Sequence, residues 1–250
     1  MLNLLFSLSI VYLLLCLSLF IFQRDLIYFP AKKYPHNYDS QLFYIDGENI
    51  EVIILNKGKK KGVLYFGGNA ESVLHSADYY IKDLPDATVY LVNYRGYGGS
   101  SGVPKESILY SDALHIYDHI KEKHRNISVI GRSLGSGVAT YLSANRDIDK
   151  MLLITPFDSI ENVAKSLYPI FPISLLLRDK FDSIGRVKSI TATTLILLAQ
   201  YDKVIPFKNS KQLINAFPKS QIKVNIIKDS GHNNLSMNSD YHILLSEFMR

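Results

Sequence analysis

The pentapeptide Gly131-Arg132-Ser133-Leu134-Gly135 sets one serine between two glycines. It follows the apolar run Ile127–Ile130 and precedes the small-residue run Ser136-Gly137-Val138-Ala139. A serine hydroxyl is a weak nucleophile until a neighbouring base takes its proton. A serine on a sharp strand-to-helix turn is exposed for attack, and side chains two residues either way would collide with the adjoining strand and helix. In such a turn the acid and base follow along the chain, each on a loop after a later strand. The run Leu195–Leu198 leads to Asp202, and Ile222–Ile227 leads to His232. Asp202 accepting the Nδ1 proton of His232 would fix the tautomer and free Nε2 to deprotonate Ser133. Asp158, after the run Met151–Ile154, and Asp229 are alternatives for the acid. The chemistry expected is acyl transfer through an acyl-enzyme on Ser133.

Such a reaction also needs donors for the developing oxyanion. Gly67-Gly68-Asn69-Ala70 follows the run Val63–Phe66, where a loop could present the amide of Asn69, and the amide after the nucleophile belongs to Leu134. Each such donor is worth about 10² to 10³ in rate. A phosphate cradle fits these glycines less well, since neither G-x-G-x-x-G nor a Walker pattern surrounds them.

The elements that must position these groups are legible as hydrophobic periodicity. The runs Leu42–Ile45, Ile50–Leu55, Val63–Phe66, Thr88–Val92, Ile127–Ile130, Met151–Ile154, Leu195–Leu198 and Ile222–Ile227 read as strands, alternating after the third with helical patterns. Continuous apolar strands of this kind predict an α/β fold. Its central sheet is mostly parallel, has about eight strands with an antiparallel start, and carries helices on both faces. Leu109, Ala113, Ile116, Tyr117 and Ile120 share one face of an intervening helix. Lys57–Lys61 reads as a hairpin tip. The proline-broken apolar stretch Tyr168–Leu177 fits neither strand nor surface helix and reads as part of a lid-like insert over about 157–180. Phe157, Tyr168, Phe171 and Leu175 are its expected substrate-facing side chains.

Residues 1–23 contain no charged side chain and are rich in Leu, Ile, Phe and Val. At 1.5 Å per residue, about twenty residues cross the hydrocarbon core, so a single-pass anchor is expected. A cleaved signal peptide fits less well, having neither a basic start nor a small-x-small site before Arg24. Arg24, Lys32 and Lys33 follow the span and place the catalytic domain on the cytoplasmic side. Residues 24–40 read as a short tether and 41–250 as one catalytic domain. A net charge of +5 with scattered lysines gives no basic face for nucleic acid. The single cysteine, Cys16, excludes an intramolecular disulfide and a thiolate metal site. His115 and His119 have zinc-like spacing, but no glutamate follows the first and both lie opposite the apolar stripe, so neither metal nor other cofactor is expected.

Taken together, Gly68-Asn69-Ala70, Asn93-Tyr-Arg-Gly-Tyr-Gly-Gly-Ser100, Gly131-Arg-Ser-Leu-Gly135, Pro156-Phe-Asp-Ser159, Asp202-Lys-Val-Ile-Pro206 and Gly231-His-Asn233 resemble the Bem46-like, depalmitoylase-like membrane-associated serine hydrolases of the α/β-hydrolase superfamily. The resemblance implies triad roles for Ser133, Asp202 and His232 and an N-terminal hydrophobic anchor. Gly67 departs from the family, whose members carry a loop-supporting histidine there. The expected substrate is a small or lipid-like acyl ester or thioester, or an acylated protein. A membrane-tethered peptidase or acyltransferase of the same fold and a non-catalytic membrane scaffold are the alternative readings.

Overall fold

The computed structural model describes residues 2–250. Helix α1 (Leu2–Ile27) is long and apolar enough to cross a membrane and is almost wholly exposed. It continues four residues past the expected end of the anchor, because nothing from Arg24 to Ile27 breaks a helix. The following segment is no free tether. Tyr28 is buried, and Ala31 O accepts a hydrogen bond from Gly98 N at 2.9 Å, so these residues form a strap across the domain.

Among the described residues, eight strands form one sheet in the order β1-β2-β4-β3-β5-β6-β7-β8. They are β1 (Asp39–Ile45), β2 (Glu48–Leu55), β3 (Lys61–Phe66), β4 (Ala87–Val92), β5 (Asn126–Arg132), β6 (Lys150–Ile154), β7 (Thr193–Ala199) and β8 (Ile222–Ile227). β1 and β2 form a hairpin whose two central residues, Asp46 and Gly47, both have positive φ, the geometry an Asp-Gly turn favours. β2 pairs antiparallel with β4, and β3 to β8 are parallel. The Lys57–Lys61 segment is therefore not a hairpin tip: β2 and β3 lie on opposite sides of β4, and the segment crosses over it. Its Gly58 at φ +90° supplied the turn chemistry of a hairpin without the pairing.

Strand side chains alternate between two cores. Leu64, Phe66, Val129, Leu153 and Ile196 pack on one face with Ala113 and Ile116 of α3 (Glu106–Ile120) and Val138 of α4 (Leu134–Asn145). Val63, Tyr65, Ile130, Leu152 and Leu197 pack on the other with Tyr80 of α2 (Ala77–Asp83) and Tyr241 and Leu245 of a C-terminal helix, Ser239–Met249. Strand order reverses at β3: the chain leaves it for β4 on one side and returns to β5 on the other. Loops at the carboxyl ends of strands flanking such a switch point part to leave a crevice. The loop after β3 carries Asn69, and the turn after β5 carries Ser133.

Candidate active site

Ser133 is the residue before α4, at φ +49° and ψ −115°, a backbone state that L-residues rarely hold. Its surroundings enforce the strain. A Cβ on Gly135 would stand 2.0 Å from the carbonyl oxygen of Phe66, and one on Gly131 would stand 2.5 Å from Gly135 O. The elbow thus packs backbone on backbone against the end of β3, and Ser133 N is held by Ile154 O at 2.9 Å. The Ser133 side chain projects toward the loop after β8, where His232 Nε2 lies 2.9 Å from its Oγ. His232 Nδ1 lies 2.8 Å from Asp202 Oδ2, on the loop after β7. With the ionised carboxylate accepting at Nδ1, that nitrogen carries the proton and Nε2 faces the hydroxyl as acceptor.

Asp202 is itself fixed, since its Oδ1 accepts from the amides of Val204 (2.8 Å) and Ile205 (2.9 Å). Burial works against its ionisation. The hydrogen bond and charge of His232 and the two amides outweigh that, so its carboxyl sits below the ordinary carboxylate range. Ser133 and His232 are both more than nine-tenths buried.

Asn69 and Leu134 lie on the two loops that meet at the elbow, where a Cβ on the adjoining Gly68 would be 3.6 Å from Ser133 Cβ. Among the described residues neither amide donates a hydrogen bond. The Asn69 side chain is engaged instead, its Oδ1 accepting from Phe29 N (2.8 Å), Tyr97 Oη (2.8 Å) and Ala70 N (3.0 Å).

A pair of residues to which no motif assigns a role ties these loops together. Glu71 Oε2 accepts from Gly68 N and from Arg132 Nη1, both at 2.7 Å, and Glu71 Oε1 accepts from Tyr65 Oη and from Ser76 Oγ. Arg132 Nη2 donates to His232 O at 3.2 Å. Burial disfavours the Arg132 cation, but the Glu71 carboxylate beside it more than restores the charge. Sequence reasoning passed over both residues. The available signal was two opposite charges, one beside each site loop, in otherwise apolar stretches. With Tyr94 Oη donating to Gly67 O at 2.8 Å, this network supports the loop after β3.

Three expected residues take other places. Phe157 is wholly buried in the core rather than part of a cover, because the chain leaving β6 turns inward before α5 (Ile160–Leu167) begins. Asp158 is likewise fully buried, where it accepts from Ser159 N, Asn162 Nδ2 and Asn209 Nδ2 as a structural hub. Asp229 does not face His232 Nδ1, which Asp202 occupies. Tyr168 and Leu175 are exposed and Phe171 is half-buried, all on the insert. His115 and His119 lie on the exposed side of α3, and no cluster able to hold a metal occurs among the described residues.

No protein-family model matches the chain. An uncharacterized protein of Mycobacterium tuberculosis is 31% identical over 230 residues, covering 84% of this chain and 80% of its own length. The lysophosphatidylserine lipase ABHD12 of Xenopus tropicalis is 34% identical over 184 residues, or 61% of this chain, and the match spans 46% of that relative's length. The Pyrococcus furiosus esterase Pf2001 has a TM-score of 0.70 at 15% identity, covering 89% of this chain and 96% of its own. An esterase from Exiguobacterium antarcticum has a TM-score of 0.67 at 17% identity, covering 84% and 99%. Sheet order, helix placement and these relatives agree, and the chain belongs to the α/β-hydrolase superfamily.

Proposed function

We propose that this protein is a membrane-anchored serine hydrolase that cleaves ester or thioester bonds of lipid-like acyl substrates. The observation that carries the reading is the unbroken relay from Asp202 through His232 to Ser133, with contacts of 2.8 and 2.9 Å. Ser133 Oγ attacks the substrate carbonyl while His232 Nε2 takes its proton, and Asp202 steadies the imidazolium. The amides of Asn69 and Leu134, free of other partners, hold the oxyanion. Collapse of the tetrahedral intermediate expels the alcohol or thiol with the proton from His232. Water then attacks the acyl-enzyme by the same route, releasing the acid and restoring Ser133.

Two observations favour a lipid-like substrate. The apolar helix α1 is suited to hold the domain at a membrane, with Arg24, Lys32 and Lys33 favouring its cytoplasmic face. The relatives that match at 34% identity bear the name lysophosphatidylserine lipase. The test uses the full chain in detergent micelles, with p-nitrophenyl esters and acyl thioesters of increasing chain length and a fluorophosphonate probe. Labelling and turnover should both vanish in Ser133→Ala. Turnover that survives this substitution would refute the serine mechanism, and a preference for acetyl over long-chain esters would refute the lipid-like substrate.

A further inference from the structure

The polar side chains of α1 make an arrangement that a lone membrane anchor has no use for. Tyr12 Oη donates to Ile170 O at 2.8 Å, and its ring stacks on Phe171, with centroids 5.9 Å apart and planes within 3°. Farther along the same face, Gln23 Nε2 donates to Leu176 O at 3.0 Å, and Gln23 Oε1 accepts from Arg178 N at 2.6 Å. The Arg178 guanidinium lies 4.0 Å over the Phe20 ring, and Arg24 pairs with Asp179 at 3.1 Å. The insert therefore lies alongside α1 from Tyr12 to Arg24. Twelve residues at 1.5 Å each make about 18 Å, against a hydrocarbon core of about 30 Å.

The insert is built to tolerate that depth. No charged side chain occurs from Leu167 to Leu177, while Lys165 precedes the stretch and Arg178 and Lys180 follow it. Leu167, Tyr168, Ile170 and Leu175 are between half and five-sixths exposed. In hydrocarbon an unpaired backbone N–H is costly, and the insert has few. Pro169 and Pro172 have none. The amides of Tyr168, Phe171, Ile173, Leu175, Leu176 and Leu177 find carbonyls within the insert or α5, and that of Arg178 finds Gln23. Two carbonyls at its outer turns, those of Ile170 and Leu176, are taken by Tyr12 and Gln23.

We propose that residues 167–177 are a second membrane-embedded element, a hairpin clasped by α1, whose exposed apolar face contacts the acyl chains of the leaflet. The proposal rests on the reading of α1 as a membrane span and not on the catalytic reading. The insert is also linked to the site through the strap. At the base of the insert Asp179 accepts from Tyr28 Oη, and the very next residue, Phe29, donates its amide to Asn69 beside the nucleophile.

The chain contains no tryptophan, so single tryptophans report depth without background. Full-length protein carrying Ser133→Ala, to make the readout independent of turnover, is reconstituted in phosphatidylcholine vesicles whose acyl chains are brominated at shallow or deep carbons. Leu15→Trp in α1 and Tyr44→Trp on β1 serve as the deep and aqueous references. Ile170→Trp should be quenched at least twofold by deep bromines, as Leu15→Trp is. Leu175→Trp, near the level of Gln23, should respond more to shallow bromines. If Leu15→Trp is quenched while Ile170→Trp and Leu175→Trp behave like Tyr44→Trp, the insert lies outside the bilayer and the proposal fails. If Leu15→Trp is not quenched either, the span fails and the proposal with it. Esterase activity of the protein with Ser133 intact, measured separately on soluble esters, decides the catalytic reading whatever the quenching shows.

Discussion

Replacing Glu71 with glutamine should separate the holding of the site loops from the chemistry they serve. The carboxylate is nearly inaccessible, and through one oxygen it joins Gly68 N on the loop after β3 to Arg132 Nη1 on the elbow. Glutamine keeps the volume and, with its oxygen turned toward Arg132, can keep these two hydrogen bonds; what is lost is the charge and the acceptor that Oε1 offers to Tyr65 Oη and Ser76 Oγ. Removing one partner of a buried ion pair costs about 3–5 kcal/mol. The Arg132 side chain retains 22% exposure, which favours the lower end, about 3 kcal/mol. For a domain of this size 1 kcal/mol shifts the melting temperature by about 2–4 °C, so a fall of about 6–12 °C is expected. The catalytic effect should be a fall in kcat of about tenfold, a fraction of the 10² to 10³ that a missing oxyanion donor costs, because the loop is loosened rather than removed. KM should hold within about twofold, since no substrate contact is altered. Thermal melts and steady-state kinetics on a soluble ester give both numbers. A lowered melting temperature with unchanged kcat would show that Glu71 holds the fold and not the site. No change in either would refute the clamp.

Asp202→Asn should lower kcat by about 10² to 10⁴ with the fold intact, because an amide no longer holds the imidazole in its working tautomer; steady-state kinetics and a melt check both halves. The same residue carries a pH signature. Its folded pKa is depressed, so its stabilising contribution is present above the unfolded value of about 3.9 and disappears as pH falls through the lower folded value. The gap in melting temperature between the native chain and Asp202→Asn should therefore shrink as pH falls below about 4. Gly135→Ala places a Cβ 2.0 Å from Phe66 O, backbone that cannot swing aside, and should cost about 3 kcal/mol or more by denaturant titration. Asn69→Ala leaves Phe29 N and Tyr97 Oη without their acceptor. It should cost about 1–3 kcal/mol and lower kcat, with turnover restored by Asn69→Asp more than by Asn69→Leu.

Most strands were legible because they are short, predominantly apolar runs bounded by polar or glycine-rich residues, and such runs have few other uses. Their order was less so. The residues from Lys57 to Lys61 have the same turn chemistry whether the chain doubles back or crosses over β4, and only the pairing of β4 with both β2 and β3 distinguishes the two. Ser133, Asp202 and His232 could be named from chain order and from their positions after strands. Glu71 and Arg132 could not, because an ion pair between residues 61 positions apart leaves no periodic trace. Phe157 was misread for a related reason: apolar character is the same in a lid and in a core, and only burial tells them apart.

Residues 24–40 hid the most. By composition they are a short tether that keeps the domain close to the anchor, but composition does not name the contacts they make. The first turns of backbone beyond α1 are spent on the domain: Tyr28 Oη on Asp179, Phe29 N on Asn69, and Ala31 O on Gly98 N. Asn69 Oδ1 is thereby shared between the strap and Tyr97, and the same residue's amide is left without a partner beside Ser133. A loop whose side chain is fixed from behind can hold a free N–H in front, which is what an oxyanion donor requires. The contact doing the fixing lies two residues past the end of α1. On the proposed reading, in which α1 spans a membrane and the Asn69 amide holds the oxyanion, one short stretch of chain would govern both the height of the site above the bilayer and the set of its donor loop.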